Sequence, residues 1–137
     1  MKTFAKVSAA EAQQLISSAF QATLAMQANI SVAVAGPDGE LLAFLRMDGA
    51  NGASVTISQN KAYTAARDRC TTESLGEKIR KNAYPIGNWG DPKITGFGGG
   101  LPIVQNGEVI GAIGVSGLEE SEDIQVAQKA IDLVFGN

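Results

Sequence analysis

The sequence predicts an α+β fold, in which a single domain over residues 1–137 carries an antiparallel sheet of four to five strands flanked by helices. Two pairs of apolar, strand-like segments are each joined by a short turn sequence, which is typical of β-hairpins and so of antiparallel neighbours. Apolar residues at three- and four-residue spacing, which is typical of helices, occur before, between and after the two hairpins. The predicted order is helix, hairpin, two helices, hairpin, helix.

The first helix and the first hairpin have clear local signals. Ser8 and Glu11 have the spacing of a capping box, so a helix is predicted to begin there, with apolar positions continuing to Met26. Residues 30–35 alternate in the manner of a strand. The turn sequence at residues 36–39 combines Pro37, which fixes φ, with a glycine that accepts the left-handed conformation. Residues 40–47 therefore return as the second strand.

Two helices are predicted in the middle of the chain, over residues 54–69 and 72–82. The second takes Thr72 as its N-cap and turns Leu75 and Ile79 inward. The first carries small residues that permit close packing, and its predicted inward side is Ile57, Lys61, Ala62, Ala65 and Arg69. Residues 84–93 contain two prolines, two glycines and Trp89, which predict an ordered loop whose tryptophan covers a pocket or lies at an interface.

The second hairpin and the last helix complete the fold. Predicted strands over residues 101–104 and 109–115 flank Asn106-Gly107, a strong hairpin turn signal. The last helix is predicted over residues 121–135. The acidic residues at 119–123 suit the positive end of its dipole, although their spacing also leaves open a site for a hard cation; helix capping is the favoured interpretation.

Residues 96–117 hold eight of the sixteen glycines. Glycine at this density in an apolar segment indicates backbone with positive φ or the close approach of another group. The segment lacks the Gly-Lys-Ser/Thr ending of a P-loop and the last glycine of the dinucleotide fingerprint, so a nucleotide site is disfavoured. Two interpretations stay open: a turn packed against a helix or a partner chain, and a pocket in which backbone amides at residues 98–100 meet an anion.

Composition excludes several classes of partner and chemistry. A net charge of −3 leaves no basic face for nucleic acid or an anionic membrane. The apolar runs are far shorter than the roughly 20 residues that cross a bilayer, and residues 1–8 do not have the order of a signal peptide, so we expect a cytoplasmic protein. There is no histidine, which removes the usual catalytic dyads and the usual haem ligand.

Three side chains in the second predicted helix region have both a chemical and a structural interpretation. The single cysteine, Cys70, has Arg67 and Arg69 nearby, which would favour a thiolate, but a small buried hydrophobe is the favoured role. Lys61 and Tyr63 have the chemistry of a base, an anion clamp or a metal ligand. A solvated lysine and an interface tyrosine are the favoured interpretation.

Three motifs together resemble the GlcG/HbpS family of haem-binding proteins, which includes the C-terminal domain of PduO-type proteins. They are Asn-Lys-Ala-Tyr-Thr-Ala at residues 60–65, Gly-Gly-Gly-Leu-Pro-Ile at 98–103 and Gly-Ala-Ile-Gly-Val-Ser-Gly at 111–117. The resemblance implies a profilin-like domain that assembles as a homo-oligomer, a dimer or larger ring, with haem or another tetrapyrrole as its cofactor. It also implies ligand-binding residues: Gly98, Gly99, Gly100 and Pro102 match the family loop, and Lys61 and Asp123 match recurring polar positions of the family. Phe97, next to the loop, is predicted to bind the ligand with them.

The sequence features and the family resemblance are compatible with three functions. The leading one is a non-enzymatic small-molecule binding protein, with a haem or tetrapyrrole pocket at residues 97–102 near a subunit contact. The second is a small enzyme that holds an organic acid on the amides of residues 98–100 and uses Lys61 or Asp123 for proton transfer. The third is a non-catalytic assembly subunit. No metal site is predicted. Without histidine, a haem iron ligand would have to be a tyrosine, methionine, cysteine, lysine or hydroxyl, with Tyr63, Met26, Met47 and Cys70 as candidates.

Overall fold

The computed structural model describes residues 1–136 and confirms the predicted order of elements. The helices are α1 (Ala9–Ala25), α2 (Gly52–Asp68), α3 (Thr72–Asn82) and α4 (Glu120–Phe135), with a short 3₁₀ helix at Ile86–Trp89. The strands are β1 (Ser31–Ala35), β2 (Leu41–Arg46), β3 (Gly100–Gln105) and β4 (Glu108–Ser116). They form one antiparallel sheet in the order β2-β1-β4-β3, as the two hairpin signals predicted. None of the helices in the described chain is long and apolar enough to span a bilayer.

The sheet is covered on both faces, which explains why all five residues of β1 are buried. Val32 and Val34 belong to the larger core, which α1 and α4 complete, whereas Ala33 and Ala35 belong to a smaller, alanine-rich core beneath α2. Large side chains therefore separate the sheet from α1 and α4, while small ones bring α2 close. The predicted alternation along this strand is confirmed, with neither face left to solvent.

Three details of the helix predictions are wrong. Helix α2 begins at Gly52, two residues early, because Asn51 is its N-cap and its side chain accepts from the Ser54 amide. Arg69 does not lie on the inward side of α2 but is its exposed C-cap, at φ 56°. The N-cap of α3 is Thr71, whose hydroxyl accepts from the Ser74 amide, so Thr72 is free to turn into the core.

Candidate functional site: a buried cluster and the adjoining apolar groove

The structure brings together three of the predicted site residues from distant parts of the chain. Lys61 comes from the middle of α2, Asp123 from the first turn of α4, and Gly99 from the residue before β3. The Lys61 Nζ atom lies 3.1 Å from Asp123 Oδ2 and donates a 2.8 Å hydrogen bond to the Val115 carbonyl. The two charged side chains are only 3% and 4% exposed. The interpretation of Lys61 as a solvated lysine is therefore wrong.

Each charged group of the buried ion pair has two hydrogen-bond partners within the chain. Asp123 Oδ1 accepts from the Leu118 amide at 3.0 Å, so both carboxylate oxygens have a partner. Burial raises the pKa of Asp123, and this effect exceeds the opposing effects of the Lys61 ammonium and the Leu118 amide. Desolvation is thus the dominant influence on the carboxylate. The pair ties α2 and α4 to the end of β4 and leaves no open face on which a solvent-borne substrate can meet it.

The other acidic residues at the start of α4 also have partners within the chain. Glu119 and Glu122 form a capping box, as the helix-capping interpretation predicted, and Glu120 Oε1 accepts from the Gly98 amide at 2.6 Å. Asp123 departs from that interpretation because it turns inward to Lys61. The sequence pattern could not separate these roles, since all four carboxylates lie within one turn and a half of helix.

The glycines at residues 98–100 lie below the surface. Gly99 has φ +126°, and a Cβ atom there would lie 2.6 Å from the Val115 carbonyl oxygen and 2.7 Å from Lys61 Nζ. The amide of Gly100 donates to the Thr72 hydroxyl at 2.8 Å, and that of Gly98 is bound to Glu120. Two of the three amides assigned to an anion are therefore used inside the chain. Direct ligand contact by residues 98–100 stays a prediction, whereas close packing is their observed role.

Glycine also allows α2 to lie directly on the sheet. Gly100 of β3 and Gly114 of β4 are paired in register, and a Cβ atom on either would contact the backbone of α2. The backbone atoms they would meet include the Lys61 carbonyl oxygen for Gly100 and, at 2.6 Å, the Ala62 amide nitrogen for Gly114. Gly100 and Gly114 thus let α2 pack directly on the sheet, which explains these two glycines without a ligand.

An apolar groove opens at the surface next to this cluster, where α3 meets the segment before β3. A hollow of about 210 Å³ is lined by Gly76, Ile79, Arg80, Ile86, Thr95, Gly96 and Phe97. Phe97 is 62% exposed and Ile86 is 47% exposed. Gly76 and Gly96 face one another so closely that a Cβ atom on Gly76 would contact the Gly96 carbonyl, and this close approach forms the floor of the groove.

A second hollow of about 220 Å³ is lined by Tyr84, Asn88 and Trp89, and it neighbours the first because Ile86 lies between these residues in the chain and the Tyr84 amide donates to the Ile79 carbonyl. The Tyr84 and Trp89 rings meet edge to face, with centroids 6.4 Å apart and planes at 67°. The expectation that Trp89 covers a pocket fits this position. We call the two hollows together the apolar groove. Sequence reasoning found Phe97 but missed the contributions of α3 and the 3₁₀ helix, because neither has a motif and they meet only in the tertiary structure.

The remaining predicted residues lie away from the apolar groove. Pro102 is half-buried in β3, paired with Ala112.

Among the candidate iron ligands, Met47 is buried with its Sδ atom accepting from the Ile30 amide, and the Tyr63 hydroxyl donates to Asp91 at 2.6 Å. Met26 caps the C-terminal end of α1. Tyr63 lines a hollow of about 320 Å³ with charged side chains of both signs, which suits a polar ligand better than an apolar ring.

Cys70 is half-buried, and its Sγ atom donates to Asp68 Oδ2 at 3.6 Å. Burial raises the pKa of the thiol, and the Asp68 carboxylate raises it further. The thiolate interpretation is not supported. We expect iodoacetamide at pH 7.5 to alkylate Cys70 more slowly in the folded protein than in urea, measured by intact mass against time, because less thiolate is present. Equal rates in the two conditions would contradict this assignment.

Residues 7–132 match the family described as haem degrading protein HbpS-like. The chain belongs to the HbpS-like family. GlcG of Escherichia coli K12 is 40% identical over 90 residues, covering 64% of each protein. An uncharacterised 15.0 kDa protein from the dhaT-dhaS intergenic region of Citrobacter freundii is 39% identical over 112 residues, covering 79% of each. The resemblance stated from the motifs is confirmed.

Solved structures extend this likeness to the whole HbpS-like chain. The crystal structure of ORFY from Klebsiella pneumoniae superposes with a TM-score of 0.92 at 29% identity, covering 100% of this chain and 96% of that one. A complex of PduOC with haem superposes with a TM-score of 0.86 at 26% identity, covering 92% of this chain and 93% of that one. The family therefore includes a protein of this fold solved with haem.

Proposed function

We propose that this HbpS-like protein binds haem or another tetrapyrrole in the apolar groove. One observation carries the proposal: the exposed Phe97 and Ile86 line one hollow with Arg80, and the exposed Tyr84 lines the neighbouring one, in a chain whose fold also occurs in a solved haem complex. Exposed apolar surface of this kind is typical of a binding site. Gly98 follows Phe97 directly in the chain, Gly99 packs against Lys61 and Asp123, and Pro102 lies in the strand that follows.

The side chains in the groove fit the chemistry of a tetrapyrrole. Its flat, apolar ring suits Phe97 and Ile86, whose exposed surface it would remove from water. Haem carries two propionate carboxylates, and the planar guanidinium of Arg80 is suited to bind such a group through two parallel hydrogen bonds. Bound haem would supply the protein with a redox-active iron. No observed feature favours the alternative of an organic-acid enzyme, whose predicted amide donors at Gly98 and Gly100 are already occupied.

The size of the groove supports the expected homo-oligomer. The two hollows are about 210 and 220 Å³, so even together they lie near the lower end of the roughly 300–1,000 Å³ of pockets that enclose an organic ligand. A single chain would therefore cover a tetrapyrrole only in part. We propose that a second copy covers the outer face of the ligand, in a dimer or larger ring. The cytoplasmic location stays a prediction.

Haemin titration tests the proposal. We expect wild-type protein to give a saturable, stoichiometric change in the Soret band, and Phe97→Ser to weaken haemin binding by about tenfold or more, since each 1.4 kcal/mol is worth a factor of ten. Leu133→Ser is the matched control, because Leu133 in α4 is 65% exposed, as Phe97 is 62% exposed, but lies outside the groove. Equal affinity in the two variants, or only unsaturable absorbance changes in the wild type, would overturn the proposal.

A further inference from the structure

We infer that Tyr84 supplies the iron ligand when a ferric tetrapyrrole occupies the apolar groove. This inference rests on the proposed function and goes beyond it by naming the atom that would bind iron. The chain has no histidine, one cysteine, three methionines and two tyrosines. Few side chains can ligate ferric haem in such a chain, and their positions can be compared one by one.

The sulfur ligands and the second tyrosine are unsuited to this site. Cys70 lies at the end of α2 with a thiol whose pKa is raised, and Met47 is buried with its sulfur already accepting a hydrogen bond. Met26 lies at the end of α1. The Tyr63 hydroxyl is held by Asp91, and its ring is flanked by the cationic groups of Arg67 and Lys93, each 5.0 Å from the centroid. None of these four residues, nor the third methionine, Met1, lines the groove.

Tyr84 has the opposite surroundings. It lines the second hollow, is 42% exposed, and its hydroxyl makes no hydrogen bond within residues 1–136. Its position is fixed by two contacts: its backbone amide donates to the Ile79 carbonyl at 3.1 Å, and its ring packs edge to face on Trp89. The Thr95 hydroxyl also lines the groove, but it accepts from the Phe97 amide and is neutral, which makes it a weaker ligand than a phenolate.

The binding step is a simple ligand exchange without a change in oxidation state. The phenol O–H of Tyr84 loses its proton to solvent, and the phenolate oxygen donates an electron pair to Fe(III), displacing the water or anion that haemin carries in solution. An iron-free porphyrin has the same ring and propionates but no atom to accept that electron pair. The affinity for haemin should therefore depend on Tyr84, and the affinity for metal-free protoporphyrin IX should not.

The test compares Tyr84→Phe with Tyr63→Phe, which removes the hydroxyl of the second tyrosine in the chain. With haemin, we expect Tyr84→Phe to lose the phenolate-to-iron charge-transfer band and the phenolate modes in the resonance Raman spectrum, and to bind about tenfold more weakly. With metal-free protoporphyrin IX, Tyr84→Phe should bind as tightly as the wild type. Tyr63→Phe should match the wild type in all these measurements.

The outcomes separate this inference from the proposed function. If Phe97→Ser weakens both porphyrins while Tyr84→Phe keeps the phenolate signature, or the wild type shows none, haem binding stands and the Tyr84 assignment is overturned. If Phe97→Ser weakens neither porphyrin, the groove is not the site and both proposals fail. Loss of the signature in Tyr84→Phe alone, with metal-free binding unchanged, supports both.

Discussion

Replacing Asp123 by asparagine is expected to lower the free energy of unfolding by about 3–5 kcal/mol, the usual cost of removing one partner from a buried ion pair. The side chain stays the same size and can still accept from the Leu118 amide, so the main change is the loss of the negative charge opposite Lys61. The ammonium group would then be buried without a counter-charge. Chemical denaturation followed by circular dichroism measures the effect through the midpoint.

Two further variants separate the charge effect from a packing effect. The double variant Lys61→Met with Asp123→Asn removes both charges, and it should be more stable than Asp123→Asn alone because no unpaired charge remains buried. Glu40→Gln removes one partner of the exposed Lys6–Glu40 pair, whose side chains are 50% and 40% exposed, and should cost no more than about 1 kcal/mol. If Asp123→Asn is as mild as Glu40→Gln, the buried pair does not hold the structure together as described.

Gly114→Ala is expected to destabilise the fold by about 1–3 kcal/mol or more, the range seen when a well-packed interior is overfilled. A Cβ atom there would meet backbone atoms of Ser58 and Ala62, and a helix backbone cannot move aside as a flexible side chain can. The added methyl group must push α2 away from β4. Denaturation midpoints report the loss, and a reduced dependence on denaturant would report a looser native state.

Gly52→Ala is the matched control for this prediction. Gly52 is the first residue of the same helix, α2, and a Cβ atom there would meet no other atom within 4 Å. Alanine is a better helix former than glycine, so this change should be neutral or stabilising by up to about 1 kcal/mol. Similar losses of stability at Gly52 and Gly114 would contradict the assignment of Gly114 as a contact point between sheet and helix.

The buried pair shows where local sequence patterns stop being informative. Lys61 and Asp123 are 62 positions apart, and a lysine in a helix or an acidic residue in a first helical turn is usually solvated. Their burial follows from the close approach of α2, which depends in turn on Gly100 and Gly114 in two other elements. The family resemblance marked both residues as recurring polar positions, but only the coordinates show that they face one another.

The groove illustrates the same limit for a binding surface. Phe97 was found because it adjoins the glycine motif, whereas Arg80 and Tyr84 carry no motif and belong to elements with ordinary local patterns. Close packing of Gly76 against Gly96, twenty positions away, brings α3 next to Phe97. A binding surface that includes α3 therefore forms only when segments distant in the chain pack together.

Local signals were enough to predict the order of elements. The capping box at Ser8, the two hairpin turns and the helical spacing each involve residues close together in the chain, so they can be recognised in the sequence. The same signals left the function of the glycines undecided between a ligand pocket and close packing. The assembled fold shows close packing for most of them, with Gly100 and Gly114 against α2, and it forms the groove next to Gly96. Contact distances, burial and pKa depend on neighbours brought together by folding, so they follow from the assembled molecule.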